Sequence, residues 1–123
     1  MTKICLDTDI VLDFLKGHKA AVAKISHYIP NDELSITSLT FFELVSSISK
    51  RGRVMPILDN LVLLPFDKEA ALRANKIHTA LQKQKMEIGM RELMNSAICI
   101  ENEAWLCTKN RAAYDGVEGL RFI

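Results

Sequence analysis

The chain has 123 residues, the size of one domain that buries a core without disulfide or metal staples, and a single domain over 1–123 is expected. Its composition is ordinary for a globular protein, 49% hydrophobic and 25% charged. The formal charge of +1 excludes a surface that attracts polyanions everywhere, so any nucleic acid must be met by a local patch.

In chain order, Ile4-Cys5-Leu6 reads as a short inner strand and Ile10 to Lys16 as a helix stopped by Gly17. The segment Asp7-Thr8-Asp9 places two carboxylates at that strand-to-helix junction, where open α/β sheets hold their ligands. Ala20 to Ile29 has helical periodicity and is ended by Pro30-Asn31-Asp32 before a strand over Leu34 to Thr37. Ser38 or Thr40 is placed to cap a third helix running to about Lys50, with Phe41, Leu44, Val45 and Ile48 facing the core. Glu43 falls on a different stripe, beside Ser46, Ser47 and Lys50, which suggests a shallow cleft.

Arg53 to Leu58 reads as a further helical turn, Leu61 to Leu64 as a strand closed by Pro65, and Asp67 to Lys83 as a long amphipathic helix. Gly89 breaks the chain before a helix over Arg91 to Asn102. Here Leu93, Met94, Ala97, Ile98 and Ile100 face inward, and Glu92 shares a stripe with Asn95, Ser96 and Cys99. Trp105-Leu106-Cys107 is the next strand, ending in the polar group Thr108-Lys109-Asn110, and Leu120 to Ile123 is a candidate last strand. Strands alternating with helices imply an α/β fold, a mainly parallel sheet of four or five strands covered on both faces.

Cys5, Cys99 and Cys107 are far apart in apolar surroundings, which offers neither a disulfide framework nor a zinc spacing and fits a reduced, cytoplasmic setting. No apolar run reaches the roughly 18 residues of a membrane span, and Met1-Thr2-Lys3 does not open a secretory leader. His18, His27 and His78 are scattered over helical surfaces, so no Ser-His-Asp set is formed.

Taken singly, the acids have ordinary explanations. Asp9 can cap the first helix, Thr40-x-x-Glu43 matches a capping box, and Glu92 suits the positive end of its helix. Together they mean more. In a parallel sheet, Asp7 and the starts of the helices bearing Glu43 and Glu92 emerge on one edge, and three carboxylates then converge. Like charges that close resist joint ionisation, and Mg²⁺ or Mn²⁺, which take oxygen ligands, would make the cluster tolerable. Such an ion assists phosphodiester hydrolysis.

Four blocks then carry a resemblance: Leu6-Asp7-Thr8-Asp9 through Gly17, Ile36 through Leu44, Ile88-Gly89-Met90-Arg91-Glu92-Leu93-Met94, and Thr108 through Tyr114 with Val117-Glu118-Gly119-Leu120. In order and over nearly the whole chain, they resemble PIN-domain ribonucleases, and within them the VapC-type toxins of toxin–antitoxin pairs. The resemblance implies a three-layer α/β/α domain and a Mg²⁺- or Mn²⁺-dependent ribonuclease. It also implies Asp7, Glu43 and Glu92 as catalytic metal ligands, a cognate antitoxin and a homodimer. The chain departs from the family pattern at Asp9 (usually Asn), Glu92 (usually Asp) and Ala113 (often an acid). Asp115 or Asp9 is left to replace that fourth acid, with Thr108 and Asn110 as further support.

Lys50, Arg51 and Arg53, Lys16, and Arg91, Lys109 and Arg111 are the basic groups available to RNA phosphates, and single-stranded or looped RNA suits a cleft. Two rival functions remain at this point. One is a PIN-like module that binds RNA or protein without cutting, motivated by Ala113 and Glu92. The other is an Asp-nucleophile phosphatase of haloacid-dehalogenase type, motivated by Asp7-Thr8-Asp9. A receiver-type signalling domain lacks a placed phosphoacceptor.

Overall fold

A computed structural model describes residues 1–47 and 51–123, apart from the side chains of Arg51 and Arg53. The expectations for Ile48 and Lys50 therefore lie outside the described residues, as do those for the Arg51 and Arg53 side chains.

The chain opens with β1 (Lys3–Leu6), α1 (Thr8–Leu15) and α2 (Lys19–Tyr28), followed by β2 (Glu33–Thr37), α3 (Ser38–Ser47) and α4 (Arg51–Leu58). It continues through β3 (Val62–Leu64), α5 (Lys68–Lys83), α6 (Met90–Glu101) and β4 (Trp105–Cys107), and ends with a 3₁₀ turn over Arg111–Tyr114. The sheet order is β3-β2-β1-β4, with every pairing parallel. The expected fifth strand shrinks to a single parallel bridge between Leu106 and Phe122. Gly119, at φ +89°, turns the chain just before it, and the pairing is limited to two backbone hydrogen bonds with Leu106, from Leu106 N–H to Arg121 O and from Ile123 N–H to Leu106 O.

Because successive strand residues face opposite ways, Ile4 and Leu6 of β1 join Ile10, Val11, Ile25 and Leu44 in one core layer. Cys5 faces the other layer, with Ala70, Ile98 and Cys99. Helices thus cover both faces, as a parallel sheet with buried strands requires. All three cysteines are free and buried.

Two details of the expected helices change. The cap of α3 is Thr37, whose Oγ1 accepts the Thr40 N–H at 3.1 Å, rather than Ser38 or Thr40. The expected polar stripe of α6 is interior, with Asn95, Ser96 and Cys99 no more than 1% exposed. α6 packs on α5 and, through Ile98 and Cys99, against Cys5 of the sheet, while Thr37 and Tyr114 take the Asn95 side chain, which closes the side that would otherwise be open.

Chain crossovers run from β1 toward β2 on one side and return to β4 on the other. The crevice between the carboxyl ends of β1 and β4 is therefore the switch point of the sheet, where such folds bind ligands.

Candidate functional site

Asp7 follows β1 directly. Its backbone N–H still belongs to the sheet, donating to Cys107 O at 2.9 Å, while its Oδ1 accepts the Thr8 N–H at 2.8 Å and caps α1. One residue therefore ends the strand, starts the helix and points its carboxylate over the switch point. Glu43 reaches the same place from the middle of α3, and Glu92 from the first turn of α6. Gly89 leaves room for the latter, since a Cβ there would collide with Glu92 Oε1.

The three acids meet on one guanidinium. Arg91 Nη2 donates to Asp7 Oδ1 at 2.6 Å, Nε lies 2.8 Å from both Glu43 oxygens, and Nη1 donates to Glu92 Oε2 at 2.9 Å. Nη2 also donates to Thr8 Oγ1 at 2.9 Å, and that hydroxyl in turn donates to Glu43 Oε1 at 2.7 Å. Side-chain exposure is 5% for Asp7, 30% for Arg91, 34% for Glu43 and 22% for Glu92. The cluster is thus half sealed, and three carboxylates share one cation. Glu43 does not form the capping box with Thr40; its carboxylate is committed to Thr8 and Arg91.

Asp7 accepts four hydrogen bonds from side chains and backbone. Besides those to Oδ1, Oδ2 accepts from Tyr114 OH at 2.8 Å and Thr108 Oγ1 at 2.9 Å. Burial opposes its ionisation, but the Arg91 hydrogen bond and charge, with Tyr114 and Thr8, outweigh it and hold the carboxyl below its ordinary range. Burial, reinforced by the Asp7 charge, raises the Tyr114 phenol, which keeps its proton and donates. Arg91 also loses solvation, yet hydrogen bonds to Asp7, Glu43 and Glu92 bind its proton more tightly than in water.

Behind Tyr114 the chain of donors extends into the core. Thr37 Oγ1 donates to Asn95 Oδ1 at 2.7 Å, and Asn95 Nδ2 donates to the Tyr114 oxygen at 3.3 Å. A relay from β2 through α6 and the 3₁₀ turn thus fixes the orientation of Asp7.

The supporting candidates divide. Asp9 Oδ2 accepts from the Lys109 N–H at 3.0 Å and faces Thr108 Oγ1 at 3.3 Å. Thr108 bridges Asp9 and Asp7, and Asn110 lines the cleft, its N–H donating to Thr108 Oγ1 at 3.2 Å. Asp115 is exposed beyond the 3₁₀ turn and does not line the cleft, whereas Ala113 does. Of the basic groups, Arg91 turns inward rather than toward a substrate, and Arg111 stacks 5.3 Å from the Phe122 ring centre. Lys109 pairs with Asp13 at 2.6 Å, and His18, expected to lack a partner, lies 3.2 Å from the same carboxylate.

Sequence reasoning missed Thr8, Asn95 and Tyr114 as site residues, along with the inward role of Arg91. Only Thr8, between two aspartates, carried a local signal. The other three depend on how α6 and the 3₁₀ turn meet β1.

The cleft holds about 280 Å³ and is lined by Asp7, Thr8, Asp9, Arg91, Glu92 and Tyr114 among others. Its donors are hard carboxylate oxygens, the type that Mg²⁺ and Mn²⁺ take. Their spacing is that of a guanidinium fork. Among the described residues no three His, Cys, Asp or Glu side chains stand as a ready metal-holding group. The donor chemistry fits a divalent cation, and the position it would take is the one that Arg91 holds.

The fold is shared with solved structures. The chain aligns with VapBC2 from Rickettsia felis bound to a promoter DNA fragment at a TM-score of 0.86 and 20% identity, covering 99% of this chain and 98% of that one. DNA-bound VapBC from Salmonella typhimurium gives 0.84 and 19%, covering 100% and 98%. VapBC-1 from nontypeable Haemophilus influenzae gives 0.82 and 22%, covering 99% and 97%. Comparison with curated proteins gives no match. No helix among the described residues is long and apolar enough to cross a membrane. The family model of the PIN domain matches residues 4–115, nearly the whole sheet and every residue of the acidic cluster, and the chain belongs to the PIN-domain family.

Proposed function

We propose that this PIN-domain protein is a metal-dependent endoribonuclease, the toxin of a toxin–antitoxin pair. The observation that carries the proposal is the convergence of Asp7, Glu43 and Glu92, from three separate elements, on one cation position at the sheet's switch point. In this reading the three carboxylates hold Mg²⁺ or Mn²⁺, which supplies Lewis acidity toward a phosphodiester and a water molecule. Asp7 keeps hydrogen bonds from Tyr114, Thr108 and the Thr8 N–H, which hold its carboxylate in place as a ligand. Thr8 positions Glu43, and Thr108 with the Lys109 N–H holds Asp9 at the rim. Lys109, whose N–H holds Asp9 at the rim, is the exposed cation placed for phosphate contacts that do not read sequence.

The antitoxin partner is supported by the toxin–antitoxin complexes that share the fold, and the homodimer by the family resemblance. The test is cleavage of a looped RNA with and without Mg²⁺ or Mn²⁺. Asp7→Asn, which keeps the size of the side chain, is expected to lower metal-dependent cleavage about 100-fold or more. Equal cleavage by both proteins, or cleavage indifferent to chelation, removes the proposal. A PIN-like module that binds RNA or protein without cutting is the second reading, favoured by the guanidinium already seated among the acids.

A further inference from the structure

Arg91 is unusual in that every nitrogen of its guanidinium faces a carboxylate of the candidate site, Nε toward Glu43, Nη1 toward Glu92 and Nη2 toward Asp7. A basic residue kept for substrate would leave at least one edge of its planar fork turned to solvent. Arg91 also sits one position before Glu92, in the first turn of α6. Its backbone is therefore fixed by the same helix that presents a metal-ligand candidate, and only its side chain can move. Its side chain is 30% exposed, so one side of it faces solvent rather than protein.

We propose that Arg91 is a built-in competitor for the divalent cation: it neutralises the acids while the metal is absent, and its guanidinium must leave Asp7, Glu43 and Glu92 before a metal can bind them. The inference rests on the reading of these acids as metal ligands. The guanidinium and the ion compete for one place, because the side chain that reaches all three acids at 2.6–2.9 Å fills the centre on which they converge, and an ion drawing on all three at about 2.1 Å would need that centre. One positive charge against three negative ones also leaves the cluster under-neutralised, which supplies the drive for exchange. Metal affinity is then reduced by the fraction of molecules in which Arg91 occupies the site.

The test is made on the full chain with Mn²⁺ alone, by titration followed by electron paramagnetic resonance, on the wild type, Arg91→Met, Arg91→Lys and Asp7→Asn. Arg91→Met is expected to bind Mn²⁺ about tenfold more tightly than the wild type, with Arg91→Lys between them and Asp7→Asn without the site. Thermal unfolding gives a second reading: Arg91→Met melts several degrees lower without metal and gains more from Mn²⁺ than the wild type does. The wild type itself provides a third, which needs no variant to fold. The Arg91 Nε–H resonance, identified by its loss in Arg91→Lys, should lose its protection from exchange as Mg²⁺ saturates the site. Equal or weaker Mn²⁺ binding by Arg91→Met, or an Nε–H signal unmoved at saturation, overturns the inference and leaves the metal reading standing. If no protein shows Asp7-dependent binding, both fall together.

Discussion

Two ion clusters lie at the carboxyl edge of the sheet, and their distances alone do not rank them. Lys109 and Asp13 approach to 2.6 Å, the same separation as Arg91 and Asp7. The Lys109 side chain, however, is 55% exposed and bonds a single carboxylate. Arg91 is half as exposed and holds three carboxylates, one of them almost fully buried. In water a short contact gains little, because solvent offers each charge an equivalent partner. Where solvent is excluded, a charge that loses its partner is left with the full desolvation penalty. The inner cluster should therefore govern stability and the outer pair should not.

The largest expected effect is on Arg91. Breaking a fully buried ion network costs about 3–5 kcal/mol, and the partial exposure of three of the four members screens part of this. Arg91→Met without metal should therefore lose about 2 kcal/mol in urea unfolding. A loss no greater than that of Lys109→Ala would erase the distinction between the clusters.

Tyr114→Phe comes next, at about 1.5 kcal/mol, the lower end of the range for a hydrogen bond to a charged group. The sign with pH is specific. Asp7 has a folded pKa below its ordinary 3.8, so its contribution is complete above that value and is lost as pH falls through the lowered folded one. Without the Tyr114 hydroxyl, the folded pKa rises back toward the ordinary value and the contribution shrinks. The stability gap between wild type and Tyr114→Phe should thus be widest near neutrality and narrow in acid. A gap that stays flat down to the acid transition would mean that the hydroxyl serves packing rather than the carboxylate.

The inner cluster also marks where sequence reasoning succeeded and where it stopped. Asp7 could be placed because an apolar triplet ending in an acid is a local pattern, and the parallel topology that carries Glu43 and Glu92 to the same edge follows from alternating strands and helices. Arg91 was visible only as a basic residue beside an acidic edge. Its inward turn depends on side-chain geometry around the first turn of α6, which no periodicity encodes. Asn95 was assigned to an open stripe because its own helix gives no sign that α5 and the sheet close over it. Tyr114 reaches Asp7 across 107 residues of sequence through a 3₁₀ turn that follows no hydrophobic repeat. The fifth strand looked like its predecessors in composition, but its pairing with β4 stops after one bridge.

The smallest expected effect falls on the outer pair and tests the comparison from the other side. The Asp13 carboxyl is lowered chiefly by its hydrogen bond to Lys109, so any contribution is present above the ordinary carboxyl range and disappears in acid. Asp13 is only 16% exposed, but the Lys109 ammonium is 55% exposed and keeps its water, so the pair gains little from pairing and salt screens it further. Lys109→Ala should leave the urea midpoint unchanged within error at physiological ionic strength, with at most a slight decrease at low salt. The backbone N–H of Lys109, which holds Asp9, survives the substitution, so metal-dependent cleavage should change only through phosphate contacts. Such a loss would fade as salt rises, because screened charge is the sole thing removed. A salt-independent drop in stability would show instead that the Asp13–Lys109 contact clamps α1 to the end of β4, and burial would no longer explain which cluster matters.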